Sequence, residues 1–361
     1  MNPTATLRAA GQSLWLDNIT RDLLTSGTLE WYIAELSVTG LTSNPTIYDK
    51  AIEGTDAYDT QIREGRDSGL ATEDLFFELA LDDLRQAADA FRPVFDRSSG
   101  VDGWVSLEVS PLLANDTRAT VREAIRLHGR ADRPNLFIKI PGTQAGLVAI
   151  EEAIFAGIPV NVTLLFTAEH YLSAAEAYLR GIERRIEVGL DPAIASVASV
   201  FVSRWDSAVA GKVTGALEAT LGLAMGRRIY ATYRRLLASD RWQRLANEGA
   251  RPQRLLFAST GTKDPQASDI LYVAGLAAPH TVNTMPEGTL LAFADHGTVG
   301  SLLPARGGDA EKVLAEIGAA GVDIDDLGRR LQEDGATAFV RSWEQLLACI
   351  AAKTATTIPA R

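Results

Sequence analysis

Short apolar segments recur along the chain and alternate with longer stretches in which apolar positions repeat every three or four residues. Apolar runs of this length, ended by glycine, proline or polar residues, predict buried strands, and the longer periodic stretches predict amphipathic helices. The predicted strands are 14–17, 38–44, 103–109, 135–140, 159–166, 196–202, 254–259 and 281–285. The predicted helices between them include 20–36, 72–91, 116–128, 143–156, 167–186, 204–237 and 268–277.

Eight strands that alternate with helices predict an α/β fold, most simply a closed (β/α)8 TIM barrel, with an open doubly wound sheet as the alternative. The region 48–100 is long for one crossover and is expected to hold several helices. Helical patterns follow the last strand at 309–319, 325–334 and 337–352. We therefore expect one domain over 1–361, with a barrel core at about 13–290 and a C-terminal helical extension at about 300–361.

Composition narrows the class of protein. The chain has 361 residues and a formal net charge of -11, which argues against binding to nucleic acid or to an anionic membrane but leaves a small anionic ligand possible. The single cysteine, Cys349, lies in an apolar run and is expected in the core. No run approaches the ~18 apolar residues of a membrane span and no secretion signal opens the sequence, so we expect a cytoplasmic enzyme or binding protein. Monomer and homodimer both stay open.

One lysine stands out from this pattern. Lys139 lies between Ile138 and Ile140 in a predicted strand that Pro141 and Gly142 end. Burying an unpaired ammonium is costly, and burial lowers a lysine's pKa and frees its amine to attack a carbonyl. An edge-strand lysine facing solvent, or a structural ion pair, would also explain the residue.

Polar side chains also mark the other strands. Seven of the predicted strands carry them at or near their C-terminal ends, where TIM barrels perform chemistry. They are Asp17, Asn44, Glu108, Lys139, Asn161 and Thr163, Ser199 with Arg204 beyond it, and Ser259 followed by Lys263. Such a set is hard to obtain from core packing alone, so it favours a functional Lys139.

Each of these residues also has a structural explanation when taken alone. Asp17 could stabilise the N-terminus of the next helix, and Asn44 before Pro45 could be a turn residue that caps one. Glu108 could pair with Lys139 for structure alone. Three more residues have ordinary roles: Thr163 as a strand former, Arg204 as the start of a helix, and Lys263 as a solvated loop charge.

Converging at a barrel mouth, these groups suit carbonyl chemistry through an imine. Lys139 would attack a ketone, Glu108 would relay protons through a water held by Thr163, and Asp17 would take a hydroxyl proton as a carbon–carbon bond breaks. The protonated imine accepts the electrons, so no metal and no cofactor is expected. Asn44 and Asn161 would hold substrate hydroxyls. Arg204, Lys263 and Ser259 would hold a phosphate.

Other chemical signatures are missing from the sequence. The four histidines have no metal-ligand spacing, and there is no glycine-rich phosphate loop or nucleophile elbow. The polar residues at the strand ends therefore carry the functional argument alone.

Six segments of the chain, each on its own predicted strand, resemble transaldolase in order over about residues 13–290. They are Leu16-Asp17-Asn18, Leu41-Thr42-Ser43-Asn44-Pro45-Thr46-Ile47, Ser106-Leu107-Glu108-Val109, Ile138-Lys139-Ile140-Pro141, Asn161-Val162-Thr163-Leu164-Leu165-Phe166 and Ser199-Val200-Phe201-Val202-Ser203-Arg204. The likeness is greatest to the longer bacterial forms. It implies a class I aldolase barrel with a helix before strand one. It also implies transfer of a dihydroxyacetone unit between sugar phosphates in the pentose phosphate pathway.

The resemblance also implies a role for each matching residue. Lys139 matches the Schiff-base lysine, Glu108 the acid/base glutamate, and Asp17 the aspartate that handles the C4 hydroxyl proton. Thr163 matches the water-orienting threonine. Further matches are Asn44, Asn161 and Ser199 for the dihydroxyacetone moiety, and Arg204 and Ser259 for phosphate. Lys263 stands near the place where the shorter forms often carry a second arginine, and it would act there as a point charge.

Two alternatives to transfer stay open. The related fructose 6-phosphate aldolases release free dihydroxyacetone, and they typically carry glutamine and tyrosine where this chain has Glu108 and Phe201. Those two residues therefore favour transfer. A non-catalytic barrel that only binds a sugar phosphate would need no nucleophilic lysine.

Overall fold

The computed structural model describes residues 2–213 and 215–356. Eight parallel strands hydrogen-bond in sequence order, and the first also pairs with the last, which closes the barrel. They are β1 Gln12–Asp17, β2 Val38–Thr42, β3 Trp104–Glu108, β4 Leu136–Pro141, β5 Val160–Leu165, β6 Ser196–Phe201, β7 Gln253–Ala258 and β8 Thr281–Met285. The predicted (β/α)8 barrel is confirmed, and the open sheet is excluded.

Helices surround the strands and extend beyond them. In chain order they are α1 Pro3–Ala9, α2 Arg21–Thr25, α3 Thr28–Glu35, α4 Pro45–Gly54, α5 Asp59–Asp67, α6 Thr72–Arg97, α7 Thr117–Ala131, α8 Gln144–Phe155, α9 Ala168–Glu187, α10 Ser203–Val209, α11 Leu221–Leu237, α12 Asp240–Asn247, α13 Leu271–Gly275, α14 Glu287–His296, α15 Ala310–Ala319 and α16 Ile324–Thr356. Within the described ranges, no helix is both long and apolar enough to cross a membrane.

Alternate strand residues point to opposite sides of the barrel wall. Outward residues such as Leu136, Ile138 and Ile140 belong to the large core between strands and helices. Inward residues form a separate cluster, and we name six of its members the floor: Trp15, Trp104, Phe137, Val197, Leu256 and Val282. The floor therefore separates two polar groups of side chains: Ser13, Asp102 and Arg254 lie below it, and the side chains near the strand ends lie above it.

The floor is built on close aromatic contacts. The rings of Trp104 and Phe137 stack with centroids 4.1 Å apart, and Trp15 lies 6.1 Å from Phe137. Gly40 on β2 makes room for this packing, because a Cβ there would lie 2.6 Å from Nε1 of Trp15. Below, Asp102 accepts a hydrogen bond of 2.8 Å from that same indole nitrogen, which satisfies its buried N–H.

Several predicted helix boundaries were wrong. The predicted helix 20–36 is two helices, because Gly27 adopts a left-handed φ of 81° between α2 and α3. The predicted helix 204–237 is likewise interrupted between α10 and α11. In the other direction, the separate helices predicted at 325–334 and 337–352 are one continuous helix, α16. The region 48–100 holds several helices, as expected, and a helix precedes β1.

The long helix α16 crosses the end of the barrel at which the strands finish. Gln332 donates hydrogen bonds to the carbonyls of Gly142 (3.2 Å) and Leu164 (3.0 Å), just beyond β4 and within β5. Trp343 packs edge-on against Phe76 of α6, with ring centroids 5.0 Å apart. The C-terminal extension therefore covers the barrel mouth and does not merely pack beside it. Residues 357–361 lie outside the described residues.

Candidate active site

Lys139 is held inside the barrel, immediately above the floor. The residue is 6% exposed, and its Nζ lies 2.5 Å from Oε1 of Glu108 and donates a 2.8 Å hydrogen bond to the carbonyl of Ser43. Glu108 and Lys139 are direct partners in the register of β3 and β4. A closed barrel has no edge strand, so the explanation of Lys139 as a solvent-facing edge residue was wrong. The ion pair with Glu108 is present.

Two carboxyl groups flank this amine, and burial raises the pKa of both. The nearby Lys139 ammonium offsets part of this effect at Glu108 and at Asp17. Asp17 also accepts a 2.8 Å hydrogen bond from the hydroxyl of Thr42, which lowers its pKa again in part. Each carboxyl can therefore hold a proton more readily than a solvated acid, as proton transfer requires. Helix α2 is capped by Thr20, so Asp17 is not its capping residue.

A row of polar side chains continues across β5 and β6. Ser199 donates a 2.6 Å hydrogen bond to the side-chain oxygen of Asn161, whose amide nitrogen donates a 3.1 Å bond to the hydroxyl of Ser106. Asn161 has no exposed surface, whereas Ser199 reaches the cavity above it. In this conformation Asn161 therefore holds Ser199 in place and does not itself line the cavity.

Thr163 lies two residues after Asn161, on the same face of β5, where the strand is irregular. The strand register shifts between Val162 and Leu165, and Leu164 has a left-handed φ of 60°. Among the described residues, the buried hydroxyl of Thr163 has no hydrogen-bond partner. A buried polar atom without a partner is costly, so this hydroxyl is suited to binding a water or substrate.

We call six polar side chains above the floor the polar layer: Asp17, Glu108, Lys139, Asn161, Thr163 and Ser199. A cavity of about 390 Å³, which we name the mouth cavity, opens above this layer. Of the sequence-predicted residues, all but Glu108 and Asn161 line it: Asp17, Asn44, Lys139, Thr163, Ser199, Phe201, Arg204, Ser259 and Lys263. Asn44 also caps α4, since its side-chain oxygen accepts a 3.0 Å hydrogen bond from the backbone of Ile47. The structural explanation of Asn44 and its place at the cavity therefore both hold.

Cations line the rim of the mouth cavity. Arg204, in the first turn of α10, is partly buried above the ring of Phe201, 5.2 Å from its centroid. Within the part of the chain that the structure describes, neither Arg204 nor the exposed Lys263 has a carboxylate within ion-pair distance. Burial lowers the pKa of Arg204, but an arginine keeps its charge in proteins. Unpaired cations beside one cavity suit a phosphate.

Ser259 lies beside these cations in a strained backbone conformation. It follows β7 with a left-handed φ of 55°, and its hydroxyl is 2.9 Å from that of Ser203. Strain of this kind persists only where surrounding structure holds it, and it is common at functional sites. The hydroxyl of Ser259 therefore stands at the same rim as Arg204.

Sequence reasoning missed several residues that line the mouth cavity, and four of them add to its chemistry or its cover. Thr284 pairs with Thr42 at 2.7 Å, Lys50 adds a third cation from α4, and Phe339 and Ser342 come from α16. The signals were weak: Thr46 and Lys50 are one helical turn apart, and Gly328, Gln332, Gly335, Phe339 and Ser342 repeat at spacings of four and three. That repeat marks one face of a helix.

Comparison with known proteins gives the family. Residues 14–350 match the profile described as transaldolase/fructose-6-phosphate aldolase. The chain belongs to this family.

Curated relatives agree over almost the whole chain. A transaldolase of Frankia alni is 48% identical over 359 residues, which cover 97% of each chain. A transaldolase of Acidothermus cellulolyticus is 47% identical, with 97% of this chain and 96% of the relative covered. A transaldolase of Mycobacterium tuberculosis is 45% identical, with 96% of each covered. The predicted resemblance to transaldolase, an enzyme of the transferase class, is confirmed.

Proposed function

We propose that the protein transfers a dihydroxyacetone unit from a ketose phosphate to an aldose phosphate through a Schiff base on Lys139. The donor would be fructose 6-phosphate or sedoheptulose 7-phosphate, and the acceptor erythrose 4-phosphate or glyceraldehyde 3-phosphate, as in the pentose phosphate pathway. The observation that carries this proposal is the placement of the Lys139 amine, which lies 2.5 Å from Glu108 and opens on a cavity that Asp17 also lines. A cytoplasmic location goes with these charged metabolites.

The first half of the proposed reaction makes the imine and breaks the sugar. The Lys139 amine attacks the C2 carbonyl of the ketose, and Glu108 protonates the resulting hydroxyl so that it leaves as water. Asp17 then takes the proton of the C4 hydroxyl. The C3–C4 bond breaks, its electrons move into the imine to give an enamine, and an aldose phosphate leaves.

The second half reverses these steps on a new aldehyde. The enamine carbon attacks the acceptor carbonyl, and Asp17 returns its proton to the new hydroxyl. Water adds to the imine with Glu108 as base, and the amine of Lys139 is released. Arg204, Lys263 and Ser259 would hold the phosphate of the donor until the aldose phosphate leaves, and then that of the acceptor, which brings the reacting carbons next to Lys139 in each half.

The alternative within the family is cleavage that releases free dihydroxyacetone. Phe201 argues against it, because the aldolases typically carry tyrosine at this position and the phenylalanine ring has no hydroxyl. The acidic Glu108 in contact with Lys139 points the same way, since the aldolases typically have glutamine at this position.

A transfer assay tests the proposal. The enzyme is given fructose 6-phosphate with and without erythrose 4-phosphate, and sugar phosphates and free dihydroxyacetone are quantified by mass spectrometry. We expect sedoheptulose 7-phosphate and glyceraldehyde 3-phosphate to form in equal amounts, and only when the acceptor is present. Release of free dihydroxyacetone at the same rate with and without acceptor would identify an aldolase. Binding of fructose 6-phosphate without any turnover would identify a non-catalytic barrel.

A further inference from the structure

Two cavities meet at Lys139. Beside the mouth cavity lies a second one of about 280 Å³, which we name the side cavity. Lys139, Thr163 and Phe339 line both cavities, so they lie at the boundary between them. Glu108 lines only the side cavity, whereas Asp17 lines only the mouth cavity. The two carboxyl groups therefore serve the amine from different compartments.

The helix α16 holds Phe339 at this boundary from both directions. On one side Gln332 is hydrogen-bonded to the carbonyl of Leu164, and a Cβ on Gly335 would lie 3.0 Å from the side chain of Leu164. On the other side Ser342 accepts a 3.0 Å hydrogen bond from Thr46 of α4. Phe339 also packs against the apolar cluster that contains Phe166 and Trp205. These contacts hold Phe339 in position where α16 crosses the barrel mouth.

The two cavities offer different chemistry. The mouth cavity carries the cations and hydroxyls that suit a sugar phosphate. The side cavity is mostly apolar, with Val109, Leu112 and Val340 among its lining. Its buried polar groups are those beside Lys139, since Asn115 and Thr337, which also line it, are exposed. Glu108 and the unpartnered hydroxyl of Thr163 are both there. A buried water needs two to four polar partners, and these groups supply them.

The proposed Schiff-base reaction requires water, but only at certain steps. Imine formation releases one water molecule and imine hydrolysis consumes one. Between these steps the enamine must wait for the acceptor. If solvent protonates the enamine carbon instead, hydrolysis of the resulting imine releases free dihydroxyacetone, and transfer fails. Exclusion of water from the reacting carbon is therefore a condition for transfer.

We propose that the side cavity is the compartment through which this water leaves and returns, and that Phe339 separates it from the enamine in the mouth cavity. This inference rests on the proposed function. It gives α16 a role in choosing between transfer and release: Glu108 and Thr163 handle water on one side of Lys139 while the sugar carbons react on the other. Phe339 is then a specificity-determining residue, and it takes no part in proton transfer.

Variants of Phe339 test the proposal, with Val340→Ala as the matched control because Val340 lines only the side cavity. The measured quantity is the rate of dihydroxyacetone release from fructose 6-phosphate without acceptor, divided by the transfer rate with acceptor. We expect this ratio to increase in the order Phe339→Leu, Phe339→Val, Phe339→Ala, and to reach about tenfold for the last. In D₂O the released dihydroxyacetone should carry one carbon-bound deuterium, since its enamine carbon is protonated by solvent.

An unchanged ratio across the Phe339 series would overturn the proposal, and so would an equal increase in Val340→Ala. If Phe339→Ala does not fold, Phe339→Val carries the test. Borohydride trapping of each variant in fructose 6-phosphate separates this result from the proposed function. An adduct with an unchanged ratio contradicts only the water compartment, whereas a wild-type enzyme that forms no adduct contradicts the Schiff base itself.

Discussion

The floor of the barrel and the polar layer above it come from the same strands and differ in almost every other respect. On β4, Phe137 belongs to the floor and Lys139, two residues later, to the polar layer. The same step separates Trp15 from Asp17 on β1 and Val197 from Ser199 on β6. Because strand side chains repeat every two residues, one inward-facing position is given to packing and the next to chemistry.

The difference concerns the cost of burial. The floor buries aromatic and aliphatic side chains in contact with one another, which stabilises the fold. The polar layer buries an ammonium and carboxyl groups whose ionised forms burial disfavours. Burying the reactive groups of the polar layer costs stability, and the packing of the floor offsets this cost.

The largest expected effect comes from removing the amine. Lys139→Met keeps the length of the side chain and should lower transfer about 10⁴-fold or more, because the covalent intermediate is lost. Thermal stability should be retained, since an ammonium leaves the interior and the pKa of Glu108, already raised by burial, favours its neutral form. Transfer rates and differential scanning calorimetry check both parts. A variant that kept a substantial part of its activity would contradict the account.

Asp17→Asn should lower activity and, at neutral pH, raise the free energy of unfolding. Loss of the proton acceptor should lower kcat by about 10² to 10⁴-fold. Burial raises the pKa of Asp17 in the folded protein, so its contribution to stability is full at low pH and is lost as pH rises through that folded pKa. An asparagine side chain does not ionise, so the variant does not lose stability in this way as pH rises.

The stability difference between Asp17→Asn and wild type should therefore grow as pH rises from below the ordinary aspartate value, and then level off. Urea denaturation at a series of pH values measures it. A variant less stable than wild type at neutral pH would show that the ionised carboxylate is favoured in the fold, contrary to the account.

Phe137→Ala tests the floor on the same strand as Lys139. Removing a buried aromatic ring should lower the free energy of unfolding by about 3–5 kcal/mol. The rate per folded molecule should fall far less than in Lys139→Met, because the ring contacts Trp104 and Trp15 and not the substrate. Denaturant unfolding and titration of active sites give the two quantities. A loss of activity as large as that of Lys139→Met would remove the distinction between the two layers.

The rim should give smaller effects. Arg204→Ala should raise KM for fructose 6-phosphate about 10- to 100-fold, which corresponds to losing hydrogen bonds to a charged group. Lys263→Ala is the comparison, and it should have the weaker effect, because Lys263 is exposed and its charge is screened by solvent. Steady-state kinetics at low and high salt distinguish the two. Equal effects would place the phosphate nearer to Lys263 than the account allows.

The barrel and much of its polar layer could be predicted from sequence because both rest on local patterns. Short apolar runs ended by glycine, proline or polar residues gave all eight strands, with ends within two residues of the observed ones. Glu108 and Lys139 were conspicuous because each interrupts such a run. Features that depend on one segment alone are the ones that sequence reasoning recovers.

The rest depends on contacts between distant segments. The predicted gap between helices 325–334 and 337–352 contains Gly335, but this residue lies inside α16, where a Cβ would come within 3.0 Å of the side chain of Leu164. Phe339 has no local signal that distinguishes it from other apolar residues of a helix. Its position above Lys139 follows from how α16 crosses the barrel, which no local pattern records. The side cavity was invisible for the same reason.

The central claim is that the Lys139 amine forms an imine with the substrate, and trapping tests it most directly. The enzyme is incubated with fructose 6-phosphate and sodium borohydride, digested, and mapped by mass spectrometry, with Lys139→Met treated in parallel. The account predicts a reduced sugar or dihydroxyacetone adduct on the peptide that contains Lys139, and no adduct in the variant. An active enzyme that yields no adduct, or one whose adduct lies on Lys50 or Lys263, would contradict it.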